Sequence, residues 1–355
     1  MHQRALAALA SPESGEPLAI GAVLREEGGE LLEGALVDPR GQRTWPVRQG
    51  IPRFVDAEGY TANFGEQWNR YRRTQIDRWN GTTLSRDRLF SGTGWTPEEL
   101  RGQRVLEVGC GAGRFTQVLL DAGAEVCAVD ASRAVEACWR NNSPHPRLCV
   151  VQADLYAMPF RRGGFDKVLC YGVLQHTPEV KRAFMSLVPF LKPGGSLAVD
   201  VYHRLPGVSW INRWGAKRWW RPLTRRLPPA TLARIVEWYV PKWLPIDTQL
   251  ARVPGLGRWL VSIVPCWNYT GRWPLTPEQI CEWAILDTFD ALSARYDQPQ
   301  TLDAVRGWCE EAGLSEIHVR FGGNGLLGNA RRPREAVPAA LAEAAGAVKE
   351  SPSWR

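Results

Sequence analysis

Hydrophobic and polar positions change period in a regular way along the middle of the chain. Arg104–Val108, Glu125–Val129, Leu148–Gln152, Lys167–Tyr171 and Ser196–Tyr202 are short runs of strand length. Between them, Arg114–Ala122, a segment from Ser132, and Lys181–Leu191 read as helices. Strands alternating with helices of about ten residues predict a parallel sheet covered by helices on both faces. One more helix is expected over Leu302–Ala312, and strands over Glu316–Phe321 and Leu326–Asn329.

Two segments precede this alternation. From Glu30 to Phe54, Gly and Pro punctuate short runs such as Ala35-Leu36-Val37 and Thr44-Trp45-Pro46-Val47, which predicts a small β unit. From about Ala62 to Asn80 a helix is expected, with Phe64, Trp68, Tyr71 and Arg72 on one face.

Composition adds a soluble, globular character: 44% of the 355 residues are hydrophobic and 23% charged. Charge is uneven. Between His203 and Trp273 stand twelve Lys/Arg and two acids, Glu237 and Asp247, a local surplus of ten. The whole chain carries +7, so the remainder is net −3. Nine of the 17 Trp fall in the same stretch.

No apolar run approaches the ~18 residues that span a bilayer. Met1–Ala10 is shorter than a secretory hydrophobic region and reads as a frayed N-terminus. Eight cysteines are scattered without a CxxC pair, as in reduced, buried thiols of a cytoplasmic protein.

Val105-Leu106-Glu107-Val108-Gly109-Cys110-Gly111-Ala112-Gly113-Arg114 closes a strand and opens a helix. Glycines there permit a tight turn and close approach of a ligand. The dinucleotide pattern GxGxxG does not fit: counted from Gly109 its last position is Arg114, and counted from Gly111 it is Thr116. An acid at Glu107 suits a cationic amino-acid ligand better than a pyrophosphate.

Five ordered segments now carry a resemblance. Val105–Gly113, Ala128-Val129-Asp130, Gln152-Ala153-Asp154-Leu155, Phe165-Asp166-Lys167-Val168 and Leu191-Lys192-Pro193-Gly194-Gly195 resemble the motifs of class I S-adenosylmethionine (SAM) methyltransferases of the type 11 kind. The resemblance covers roughly Arg104 to Tyr202. It implies a doubly wound, Rossmann-like α/β fold with a seven-stranded sheet, and SAM as cofactor. Glu107 would face the amino-acid part, Asp130 the ribose and Asp154 the adenine. Gly109, Cys110, Gly111 and Gly113 would form the cofactor loop, with Ala131, Leu155 and Tyr171 beside it.

SAM supplies the activated methyl, so the protein must align an acceptor and remove its proton. His176, after the fourth strand, is the candidate base, or it orders its loop. Gln175 lies beside it. The fourth strand leads into Cys170-Tyr171-Gly172-Val173 and not into an Asn/Asp-Pro-Pro-aromatic motif, which weighs against DNA base methylation.

Gly34–Phe54 resembles a small zinc-ribbon-like module found before such methyltransferases. Its metal positions would fall at Ser11, Ser14, Asp38 and Gly41, so no zinc is expected. Tyr60–Trp68 resembles the lead-in helix of the same family, where Gln67, Trp68 and Tyr71 would meet cofactor or substrate, or Phe64 and Trp68 would anchor the core.

The basic, Trp-rich stretch admits three readings: a membrane-surface face, an RNA-binding face, or a helical lid. Trp210, Trp214, Lys217, Arg218 and Arg221 share one helical face. Pro228-Pro229, Pro241, Pro245, Pro254 and Pro265 divide the stretch into short helices, as in a lid over a bulky substrate. Beyond it, Asp287, Asp290, Tyr296 and Asp297 are polar enough to bind a hydroxylated acceptor, or serve capping and turns.

The expected organisation is a β module over 1–58, a SAM-binding core over 59–202, an insertion over 203–282, a C-terminal core part over 283–330 and a tail over 331–355. The expected activity is SAM-dependent O-methylation of a small-molecule, glycan or lipid-linked acceptor, in the cytoplasm, with peripheral contact at the inner membrane face. An RNA methyltransferase and a non-catalytic SAM-binding partner protein are the alternatives.

Overall fold

The computed structural model describes residues 1–55, 59–204, 217, 219–261 and 263–334. Trp210, Trp214, Arg218 and the tail from 335 onward lie outside the described residues.

Two sheets organise the molecule. The first is antiparallel: β1 (Ala19–Glu27), β2 (Glu30–Val37), β3 (Thr44–Arg48) and β4 (Ile51–Pro52), in that order. The second has seven strands: β5 (Arg104–Val108), β6 (Glu125–Asp130), β7 (Leu148–Gln152), β8 (Phe165–Cys170), β9 (Leu191–Val201), β10 (Ser315–Gly322) and β11 (Gly325–Arg331). Their order is β10-β11-β9-β8-β5-β6-β7. Strands β7, β6, β5, β8 and β9 run parallel, while β11 is antiparallel to both β9 and β10.

Both faces of the parallel strands are buried, as crossover helices require. Leu106, Val108, Cys127, Val129 and Val168 pack into one core, and their neighbours Val105, Val126, Ala128, Val150 and Leu169 into the other. Chain order reverses between β5 and β8. In such sheets a crevice opens at the carboxyl ends of the strands at that point.

The β module closes the free edge of β7. Arg53 pairs with Gln152 in a parallel bridge, the Phe54 amide donates to the Gln152 carbonyl at 2.8 Å, and Arg53 Nη1 donates to Gln152 Oε1 at 2.7 Å. Covering an edge strand removes a site of unwanted pairing. Met1 is buried and its amino group donates to the Leu31 carbonyl at 2.9 Å, so the start of the chain is tied down and not frayed.

Three local expectations are corrected. The helix expected over 62–80 ends at Arg70 (Ala62–Arg70), with Tyr71 as its cap, and a short helix resumes at Asp77–Asn80. Helix Pro229–Leu250 runs through Pro241 and Pro245. Both prolines are exposed, so the lost amide and the bend fall on the solvent side. Its opposite face, Leu232, Val236, Val240 and Leu244, packs on Ile280, Ala284 and Phe289 of helix Pro277–Ser293. Lys217 and Arg221 are largely buried and pair with Asp297 at 2.8 and 2.5 Å.

Candidate functional site

A cavity of about 1250 Å3 opens at the carboxyl ends of β5, β6 and β8. Single-ligand pockets are usually ~300–1,000 Å3. This one has room for a nucleoside-sized molecule and a second, smaller one. Its floor is the loop after β5, and residues between Asp247 and Trp273 form much of the opposite wall.

Gly109, Gly111 and Gly113 all have positive φ, at 76°, 52° and 83°. A Cβ on Gly109 would sit 2.1 Å from Val173 Cγ2, and one on Gly113 would sit 2.3 Å from Asn142 Nδ2. Both crowding and backbone conformation therefore demand glycine there.

Four of the loop amides point back into the protein. Gly109 N and Cys110 N donate to the Val129 carbonyl, Gly113 N to the Cys110 carbonyl, and Gly111 N to Asp130 Oδ2 at 3.1 Å. A pyrophosphate site needs such N–H groups free. Here the amides of all three glycines and of Cys110 are engaged, which leaves fewer donors for a pyrophosphate at the loop.

Asp130 ends β6. Its Oδ1 accepts from Ser132 N and Ser132 Oγ at 2.9 and 2.8 Å. Burial raises its carboxyl above the ordinary range, and the bonds from Ser132 and Gly111 oppose that rise. Ala131 and Leu155 line the cavity beside it.

Arg114 follows the last loop glycine. It donates to Gln75 Oε1 at 2.5 Å and Ser85 Oγ at 3.2 Å, and it forms no ion pair among the described residues. Burial, then the neighbouring Arg88 charge, lowers its guanidinium to about 9. Arg88 pairs with the buried Asp200 at 2.6 Å, while its Nε is buried without a partner among the described residues.

His176 lines the cavity between the rings of Phe64 and Tyr202, each 5.4 Å away. Its Nδ1 lies 3.0 Å from the Tyr296 carbonyl oxygen. A carbonyl only accepts, so Nδ1 carries the proton and Nε2 of the neutral ring keeps its lone pair.

An aromatic wall stands across the cavity. Tyr269 stacks on Trp273 at 4.1 Å, and Trp273 meets Trp283 at 4.5 Å. Tyr269 OH donates to Asp287 Oδ2. Burial pushes the Asp287 carboxyl up to about 7, against the bond from Tyr269.

Gly109, Cys110, Gly111, Asp130, Ala131, Leu155, Tyr171, Gln67, Trp68 and His176 are therefore brought to one cavity. The ring of Trp68 approaches Gly111 so closely that a Cβ there would lie 3.1 Å from it. Gln67 Oε1 and Tyr171 OH are buried without partners among the described residues.

Five expected residues stand back from the lining. Glu107 lies beneath the loop, where Thr116 Oγ1 donates to its Oε2 at 2.5 Å, and burial pushes it up to about 8. Asp154 caps the turn Leu155–Ala157 by accepting from Tyr156 N at 3.0 Å. Gln175 is buried, and its carbonyl accepts from Gln298 N at 2.9 Å. Tyr296 packs edge-on against Tyr60 at 5.5 Å. Gly113 is buried as the cap of helix Arg114–Asp121.

Arg88, Arg114, Tyr269 and Trp273 are lining residues that the sequence pattern does not single out. Arg114 adjoins the glycine loop and was open to notice there. The others meet only through tertiary packing.

Residues 106–199 match the family model of a methyltransferase domain. The matched stretch runs from β5 into β9 of the seven-stranded sheet. The chain is 32% identical over 136 residues to a ubiquinone biosynthesis O-methyltransferase of Xanthomonas euvesicatoria pv. vesicatoria, covering 38% of this chain and 55% of that protein. It is 31% identical over 136 residues to the protein of the same name in Xanthomonas axonopodis pv. citri, with the same coverage. The chain thus spans about half the length of these relatives. Among solved structures, an O-methyltransferase family protein of Burkholderia thailandensis is 11% identical over 73% of this chain and 60% of its own, with a TM-score of 0.41.

Proposed function

We propose that the protein is a SAM-dependent methyltransferase acting on an oxygen atom of a small-molecule acceptor. The observation that carries this reading is the Asp130–Gly111 bond at the cavity floor, within the matched domain. It leaves a carboxylate beside a glycine loop whose three glycine amides are already engaged. That donor and acceptor set fits a ribose and a cationic amino acid.

SAM, when bound, supplies a methyl group activated on a sulfonium. Asp130 would accept from the ribose hydroxyls, and Arg114 would hold the carboxylate. The partnerless Gln67 Oε1 would accept from a donor of the cofactor. Trp68 would exclude water over Gly111.

On the acceptor side, His176 would take the hydroxyl proton on Nε2, because Nδ1 is committed to Tyr296. Tyr269, Trp273 and Trp283 offer apolar ring faces, and Asp287 a polar end. Oxygen as the acceptor atom is supported by the names of the relatives, both O-methyltransferases. A ring-bearing hydroxyl compound suits the wall, and a glycan-like or lipid-linked one fits the same chemistry.

Incubation with methyl-labelled SAM and a panel of phenols, sugars and lipid-linked hydroxyl compounds tests the activity. Label transfer to one of them, abolished in Asp130→Ala, is expected. SAM binding without transfer to any acceptor favours a non-catalytic SAM-binding protein.

A further inference from the structure

We propose that the outer face of helix Pro229–Leu250, with helical residues 219–224, docks on an anionic lipid bilayer. Ile235, Trp238, Lys242 and Ile246 are exposed and recur at i, i+3, i+7 and i+11, which places them on one stripe of the helix. The stripe lies opposite the face packed on helix Pro277–Ser293.

The apolar members are exposed, three of them by more than half. Trp219 is 75% exposed, Trp238 68% and Leu223 60%. The indole N–H of Trp220 donates to the Ile263 carbonyl at 2.9 Å, which ties 219–224 to a second exposed aliphatic, Ile263. An exposed set of this kind, interleaved with charge, marks an interaction site.

Charge decides what covers it. Arg225, Arg226, Arg234, Lys242 and Arg252 are exposed across these elements. The acids nearby are withdrawn: Glu237 is held by Arg70 at 2.5 Å and by Tyr71 at 2.5 Å, and Asp247 is buried. The outward field is positive and matches anionic headgroups.

The apolar side chains separate a bilayer from a nucleic acid. Leu223, Ile235 and Ile246 have no aromatic face for base stacking, yet they partition into the acyl boundary. Trp219, Trp220 and Trp238 suit the headgroup level. Lys242 Nζ lies 3.8 Å over the Trp238 ring, a stem along apolar surface with its charge at the rim.

Arg252 lines the cavity and Val253 beside it is exposed. The docking face therefore runs to the cavity rim. The inference does not rest on the proposed activity.

Vesicle flotation tests it. The full chain should float with vesicles of equal parts phosphatidylglycerol and phosphatidylcholine, and not with phosphatidylcholine alone. Binding should fall as salt rises above about 0.1 M. The double variants Arg226→Glu/Lys242→Glu and Trp219→Ala/Trp238→Ala should each weaken flotation at least about tenfold. Their melting temperature should stay that of the unmutated protein, which separates a docking defect from a folding defect.

Failure of the unmutated chain to float with anionic vesicles overturns the proposal, as does equal flotation of the variants. Two further results also overturn it. One is loss in the variants of binding to a single-stranded RNA oligonucleotide while no protein floats. The other is a dimer in sedimentation that the variants split without any vesicle binding.

Discussion

The carboxylate of Asp130 accepts the amide of Gly111 at 3.1 Å, joining the end of β6 to the loop that leaves β5. One side chain thereby shapes the loop and still faces the cavity. Replacing it removes a ligand acceptor and leaves the Gly111 N–H without its partner. Asp130→Ala should weaken SAM binding at least about tenfold, in line with losing charge-assisted hydrogen bonds worth ~1.5–3 kcal/mol. Calorimetric titration measures this, and unchanged affinity would remove Asp130 from the site.

Gly109 has a different sensitivity. Its φ of 76° is unfavourable for a side chain, and an added Cβ would collide with Val173. Gly109→Ala should lower the melting temperature by several degrees, consistent with ~1–3 kcal/mol of strain and overpacking. Gly172→Ala is a useful companion, because its φ of 77° is equally strained while nothing lies within 4 Å of the added carbon. A larger loss at Gly109 isolates the contribution of crowding.

Stability should fall with rising pH because of Glu107. Burial pushes its carboxyl up to about 8, from 4.5 for an ordinary glutamate. The folded chain then holds a proton that the unfolded chain releases. The associated stability is complete below about 4.5 and is lost as pH climbs toward about 8. Asp287, raised from 3.8 to about 7, acts with the same sign. Glu107→Gln removes the first of these titrations. Its melting temperature should gain on that of the unmutated protein between about pH 5 and about pH 8. Parallel curves would contradict the assignment.

The strands were legible where burial is two-sided. Each of β5 to β8 is a short, largely apolar run, because helices cover both faces of a parallel sheet. Strand β1, Ala19–Glu27, gave no such signal: it is almost wholly exposed and lacks a buried stripe. Helix Leu84–Thr93 likewise presents no clear apolar face in its sequence. Pro241 and Pro245 suggested breaks, but the packing of Val236, Val240 and Leu244 holds the helix through both.

The same contrast applies to the site. Gly109, Gly111, Gly113 and Asp130 are readable because a turn and a strand end restrict which residues fit. Roles carried over by resemblance were less transferable as contacts. Glu107 is satisfied by Thr116 and Asp154 by a capping bond, and neither lines the cavity. Tyr269, Trp273 and Asp287 come together only when the segment after β9 folds across the cavity.

His176 should act through one nitrogen. With Nδ1 donating to Tyr296, Nε2 is the atom available to an acceptor hydroxyl. Once an acceptor is identified, His176→Ala should lower kcat by ~10²–10⁴ with SAM affinity retained. A small loss in kcat would instead make His176 a positioning residue.

Titration of the unmutated protein with SAM by calorimetry addresses the central claim most directly. Saturable binding of one SAM per chain, weakened in both Asp130→Ala and Arg114→Ala, is the expected result. Absence of binding by the folded, unmutated chain would contradict the account.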